Sequence, residues 1–152
     1  MRRSGFTTIE MIIVIIMIGV IAAIGFPAIH RTLDKTNVRS ARVAVGTYAV
    51  MARSAAIQRG CRSAVRFVSG TGSRVWVTAC RPGTPGTTDT VGPVKNLHDD
   101  FSVTLSASQD SVRFDPRGLS LETVNTVVHF TGNVAANTDS IVISMLTGKV
   151  VR

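Results

Sequence analysis

Hydrophobic positions change rhythm twice along this chain. Residues Met11 to Phe26 carry no charge and almost no polar atom. Widened to Phe6–Ile29, the run counts 24 residues with one ionisable side chain, Glu10. As a helix rising about 1.5 Å per residue it extends roughly 36 Å, enough to cross a hydrocarbon layer of about 30 Å with some tilt. Beyond Pro27 the apolar residues thin to steps of three and four. Val38, Ala41, Val45, Tyr48, Ala52 and Ala55 make one stripe, and Arg39, Arg42, Arg53 and Arg59 fall off it. The stripe predicts core packing on one side of the helix and a solvated arginine face on the other. Gly60 is the expected stop. Unbroken from Phe6 to Arg59, this helix is about 81 Å long, with Gly19, Gly25 and Pro27 as the places where it can kink.

After Gly60 the period becomes two. Ser63–Ser69 and Ser73–Cys80 read as strands joined through Gly70-Thr71-Gly72. Two registers are open. A two-residue loop pairs Ser63 with Thr78 and sets Cys61 opposite Cys80, whereas a three-residue loop aligns Val65 and Phe67 with Val77 and Val75. Arg81–Leu97, rich in Pro, Gly and Thr, reads as a long exposed loop. Phe101, Val103, Leu105 and Ala107 alternate with polar residues, as a half-buried strand should. Val112–Phe114 is a short strand running into Asp115-Pro116-Arg117-Gly118, a type I turn sequence. Val124–Phe130 and Ile141–Leu146 read as further strands, with Gly148–Arg152 as a last one. The expected class is α+β, one long helix backing a small antiparallel β head. Its expected segments are 1–5, a leader; 6–29, the apolar half of the helix; 30–60, its amphipathic half; and 61–152, the head.

Length and charge bound the picture. The chain has 152 residues, enough for one domain beyond the apolar segment, and a net charge of +8. Nearly all of that charge lies between Arg31 and Arg74, where nine Lys/Arg accompany a single acid, Asp34. Such a block suits phospholipid headgroups, acidic neighbours or nucleic acid. The positive-inside rule gives a conflict, because Arg31, Lys35, Arg39 and Arg42 compete with Arg2 and Arg3 for the cytoplasmic side. Cys61 and Cys80 suit an oxidising compartment, and so favour a head outside the cytoplasm.

Glu10 is the unusual residue. A lone carboxylate inside an apolar helix costs several kcal/mol and calls for a partner. Cleavage after Gly5, at the end of the basic leader Met1-Arg2-Arg3-Ser4-Gly5, would give Phe6 a new amino group four residues before Glu10. The Phe6 amine of one subunit could then pair with Glu10 of another, neutralising both charges where attraction is strong. An ordinary secretory signal has a shorter apolar core than this run and a small-x-small cleavage site. A plain anchor leaves Glu10 unexplained. Residues 5–10 resemble the class III signal of type IV pilins and type II secretion pseudopilins, with Thr8 where Leu is commoner. The resemblance implies cleavage after Gly5 and methylation of Phe6 by a prepilin peptidase. It also implies assembly register set by Glu10 and a kink at Pro27.

Val38-Arg39-Ser40, Ala52–Gly60 and Phe114–Gly118 resemble the GspH/FimT type of minor pilin and pseudopilin. That family implies a type IV pilin-like fold and a structural rather than enzymatic role. The implied partners are other pilin or pseudopilin subunits, the peptidase, inner-membrane lipid and an inner-membrane assembly platform. The implied location is a single pass of the inner membrane with the head in the periplasm. A type II secretion pseudopilus is the first reading, a type IV pilus the second. Some FimT-type pilins bind DNA through a Gly-Arg-x-Arg motif. The stretch here is Gly148-Lys149-Val150-Val151-Arg152, with Lys replacing Arg and the second base one position late, so Lys149 and Arg152 are weak candidates. One Trp and one Tyr provide little stacking surface.

No catalytic motif, phosphate-cradling glycine loop or metal spacing of Cys and His occurs, so no cofactor or metal is expected. His98-Asp99-Asp100 reads as solvated in preference to a Ca²⁺ site, and His129 as a strand residue facing water. The cysteines are expected to form a disulfide worth about 3 kcal/mol in the chain-entropy model, against the alternative of two buried thiols.

Overall fold

The computed structural model describes residues 7–81, 83–84, 86–134 and 136–151. Gly5 and Phe6, where cleavage is expected, and Arg152 lie outside them. The chain forms two compact units, Met1–Leu33 and Asp34–Arg152. Helix α1, Thr8–Arg59, contributes to both, and Pro27 lies inside it. In the first unit its large apolar side chains are all unburied, and the helix is long and apolar enough to cross a membrane. Ile15, Ile21 and Ile24 are about two-thirds exposed or more, at 67%, 71% and 72%.

α1 ends where the sequence says it should, for an identifiable reason. Gly60 takes φ +61°, open to glycine at no steric cost. Its N–H donates to Ile57 O, and that of Cys61 donates to Ala56 O. These two bonds are the Schellman arrangement, which satisfies the last free carbonyls of a helix.

In the second unit Asp34, Val38, Ala41, Val45, Ala49, Ala52, Ala55 and Ala56 are the buried residues of α1. The expected stripe is therefore right in phase but wrong at one position. Ala49 replaces Tyr48, which lies half-buried at the margin and donates its hydroxyl to Pro93 O at 2.9 Å. A phenol at the margin keeps its polar end satisfied, whereas alanine permits close approach of the sheets. Ser63 Oγ donates to Ala52 O and so joins the first strand to the helix.

Among the described residues eight strands make two antiparallel sheets. β1 Ser63–Val68, β2 Arg74–Cys80, β3 Thr88–Asn96 and β5 Ser111–Phe114 form one, in the order β3-β2-β1-β5. β4 Thr104–Ala107, β6 Thr126–Thr131, β7 Thr138–Ile143 and β8 Val150–Val151 form the other, in the order β4-β6-β7-β8. The first hairpin takes the hydrophobic register, Val65↔Val77 and Phe67↔Val75. One continuous core results, in which Phe67, Val75, Val77 and Phe114 of the first sheet meet Leu105, Val128, Phe130 and Ile143 of the second under α1. Ser73 links the layers. Its Oγ accepts from Leu105 N at 2.7 Å, and its carbonyl accepts from Leu97 N at 2.8 Å.

The expected loop at 81–97 is corrected. It holds β3, and α2 (Leu97–Phe101) starts at its end. Turn-forming composition hid a strand, because Thr88, Thr90 and Val91 supply β-branched residues that pair along β2. Gly92, at φ +76°, and Pro93 fall at its register shift. An edge strand tolerates proline there because one side of it faces no partner. Phe101 is likewise corrected from strand to the last residue of α2. The turn at 115–118 closes as expected, with Gly118 N donating to Asp115 O at 2.9 Å.

Candidate functional site

Glu10 stands exposed in the first turn of α1. Its N–H donates to Thr7 Oγ1 at 3.3 Å, so Thr7-Thr8-Ile9-Glu10 has the sequence of a capping box with Thr7 as its first member. That local signal is present in the sequence and gives Glu10 a role within its own helix. A carboxylate three residues into a helix also interacts well with the positive end of the helix dipole. The acid, the cap and the unburied apolar surface behind them form one candidate assembly element.

The sulfur atoms of Cys61 and Cys80 are bonded, across a Cα separation of 6.2 Å. The bond and the hydrophobic hairpin register coexist, because Cys61 sits in the bend after α1 and is not a member of β1. Arg59 supports the same junction, donating from Nη1 to Cys80 O at 2.8 Å. The arginine face is thus only partly solvated. Arg39 and Arg53 are exposed, but Arg59 is engaged, and Arg42 lies 3.1 Å from Asp139 with its side chain 15% exposed.

Around Arg42 is a cavity of about 590 Å³ between the Lys35–Arg42 turns of α1 and residues 136–139. Beside it, Asp34 is buried and accepts from Asn133 N at 2.8 Å, Val134 N at 3.2 Å and Asn137 Nδ2 at 2.7 Å. Gly132 is needed there, since a Cβ at that position would lie 2.4 Å from Asp34 Oδ2. Sequence reasoning passed over Asp34 and Asp139 as chemistry, because their partners lie about a hundred residues away in the chain.

The remaining candidates are scattered. Lys149 is exposed, between Gly148 and β8. His129 is exposed on β6. His98, Asp99 and Asp100 sit in α2, where Asn96 accepts from Asp99 N and Lys95 pairs with Asp100 at 2.9 Å. Among the described residues no group of three or more His, Cys, Asp or Glu is placed to hold a metal ion. Glu122 raises the Arg113 pKa by hydrogen bond and charge, so that guanidinium stays cationic.

The model of the family described as type II transport protein GspH matches residues 47–147, from the second half of α1 to the β7–β8 turn. The chain belongs to that family. The type IV minor pilin FimU of Pseudomonas aeruginosa is similar in fold in two crystal forms. One superposes with a TM-score of 0.59 at 12% identity, covering 76% of this chain and 87% of that one. The other gives 0.55 at 14% identity, covering 74% and 90%. No curated protein matches the chain. An apolar N-terminal helix, an α+β head and a disulfide are therefore features of a pilin-like subunit.

Proposed function

We propose that the chain is a structural minor subunit of a type II secretion pseudopilus. In this reading a prepilin peptidase cuts after Gly5 and methylates Phe6. The chain then waits in the inner membrane with its head in the periplasm, and enters the filament from an assembly platform. The observation that carries the reading is the family match over residues 47–147 on a chain whose preceding helix is apolar and unburied. Glu10 supplies the driving force. Its carboxylate is tolerable in lipid only when protonated or paired, and the Phe6 amine of a docked subunit is the available cation. Pairing rewards one axial register and draws the incoming subunit out of the bilayer.

The test is complementation of a strain lacking this chain, at matched membrane abundance. The wild-type chain restores secretion and co-purifies with partner pilins, while Glu10→Ala and Glu10→Gln are inserted and cleaved yet recovered with filaments at about a tenth of that level or less. Gln keeps the shape and a capping amide, so its failure isolates the charge from the cap. Normal incorporation of both variants would overturn the register mechanism. Normal secretion with loss of pili or of DNA uptake would assign the chain to a type IV pilus. The exposed Lys149 beside Gly148 is the observation that keeps that second reading, including DNA contact, in view.

A further inference from the structure

We infer that the cavity between the Lys35–Arg42 turns of α1 and residues 136–139 binds the phosphodiester of an anionic lipid headgroup. Its volume of about 590 Å³ is in the range of small-ligand sites, roughly 300–1,000 Å³. Lys35 and Arg39, one helical turn apart, both line it, and neither has an ionic or hydrogen-bonded partner among the described residues. Arg42 forms the inner wall. Its Nη1 is sealed from solvent and lies 3.1 Å from Asp139 Oδ2, yet makes no hydrogen bond of good geometry. The contact is one of charge, and it leaves donor capacity on that nitrogen.

The charge count favours an anion. Three cations and one carboxylate, Asp139, line the space. The other nearby acid, Asp34, is buried and already accepts from Asn133, Val134 and Asn137. An ammonium and a guanidinium side by side match the oxygens of a phosphodiester, and Val38 provides a low-dielectric wall that strengthens the field.

Position selects lipid as the source. Lys35 and Arg39 are six and ten residues beyond Ile29, the end of the apolar run, within the stretch that borders lipid headgroups. A second hollow of about 370 Å³ shares Thr36 and Arg39 and adds Ser40, Val43 and Ala44, a mostly apolar resting place for the glycerol and first acyl carbons. An acidic side chain of a neighbouring subunit would leave this apolar hollow unused. The site would hold the subunit at a fixed depth until assembly. The inference rests on reading residues 6–29 as membrane-resident.

The experiment uses the full chain, delipidated in detergent and titrated with phosphatidylglycerol or phosphatidylcholine, with retained lipid counted by native mass spectrometry. Phosphatidylglycerol should be preferred. Lys35→Gln with Arg39→Gln should weaken its retention about thirtyfold and leave phosphatidylcholine unaffected, at roughly fivefold per cation. The equal-charge control, Arg53→Gln with Arg66→Gln, should change nothing. A similar fall in both double variants would mean diffuse charge and overturn the site. Inorganic phosphate binding with no lipid preference would reassign it to free anions. Unchanged lipid retention with loss of a co-purifying pilin would assign it to an acidic neighbour. Flotation with neutral phosphatidylcholine vesicles separates the two layers of the argument. A chain that fails to float defeats the membrane reading, whereas one that floats without phosphatidylglycerol preference defeats only the site.

Discussion

One helix, α1, meets two different surroundings, and its sequence differs accordingly. In the first unit it is apolar on every side, and its large side chains, Ile9 to Ile29, are all more than two-fifths exposed. In the second unit its apolar residues narrow to a stripe, and Ala41, Val45 and Ala52 are completely buried under the chain's own sheets. A helix that is hydrophobic all round must borrow its solvent, from lipid or from other helices, whereas a striped helix has a partner of its own. What stabilises the head is therefore internal and measurable on one chain. What stabilises the first unit is supplied from outside.

The sharpest way to break this comparison is to truncate one large apolar side chain in each region. Phe114 is fully buried in the head, and Phe114→Ala should destabilise it by about 3–5 kcal/mol, with Trp76 fluorescence following denaturant unfolding in mild detergent. Ile16→Ala removes a side chain that is 60% exposed and should leave the same midpoint unchanged. A matching loss in Ile16→Ala would mean that the first unit contributes to the head's stability and that the contrast is false.

The disulfide is next. Cys61 and Cys80 are 19 positions apart, so replacing both with serine should cost about 3 kcal/mol through the freed unfolded chain. The wild type under reductant should lose the same amount. A larger loss in the serine variant than in the reduced protein would point to packing by the sulfurs and not to chain restriction.

Asp34 tests the boundary itself, as the first residue of the second unit. Asp34→Ala leaves two backbone donors and one side-chain amide of the 133–137 turn without their acceptor, and should cost about 2 kcal/mol. Hydrogen exchange at the Asn133 and Val134 amides should quicken before the rest of the head responds. Unchanged exchange there would remove Asp34 from its place as the clasp of that turn.

These effects also show what is legible in the residues alone. Periodicity reveals α1 and the inward rows of β1, β2, β4 and β5, because burial repeats locally at every second or every third and fourth position. Gly60 marks the helix end, because its conformation is a local requirement. β3 stayed hidden because its pairing along β2 outweighs the turn propensity of Gly92 and Pro93. Asp34 with residues 133–137, and Arg42 with Asp139, stayed hidden for another reason. Each joins parts of the chain about a hundred residues apart, and no local pattern encodes such a meeting. The Glu10 capping geometry belongs to a third kind, since Thr7 and Glu10 stand at capping-box spacing and the signal is wholly local.

The smallest expected effect lies on the first sheet's edge. β5 is an edge strand, and its Arg113 N–H points away from β1 to Glu122 Oε1 at 3.1 Å, which also accepts from Arg113 Nε at 3.0 Å. One carboxylate oxygen thus covers an edge donor and holds the side chain above it, while Leu121 N returns a bond to Arg113 O. The two roles separate by mutation. The Arg113 side chain is 59% exposed and that of Glu122 10%, so Arg113→Ala removes an ion pair open to water on the arginine side and should cost about 1 kcal/mol. That cost should vanish near 1 M salt, where the screening length falls to about 3 Å. Glu122→Ala also strips the edge N–H of its acceptor and should cost more, with a remainder that salt does not erase. Equal, fully screened losses in both variants would reduce the contact to a surface ion pair. A persistent excess in Glu122→Ala identifies it as the cover of an edge that would otherwise be free to pair with another chain.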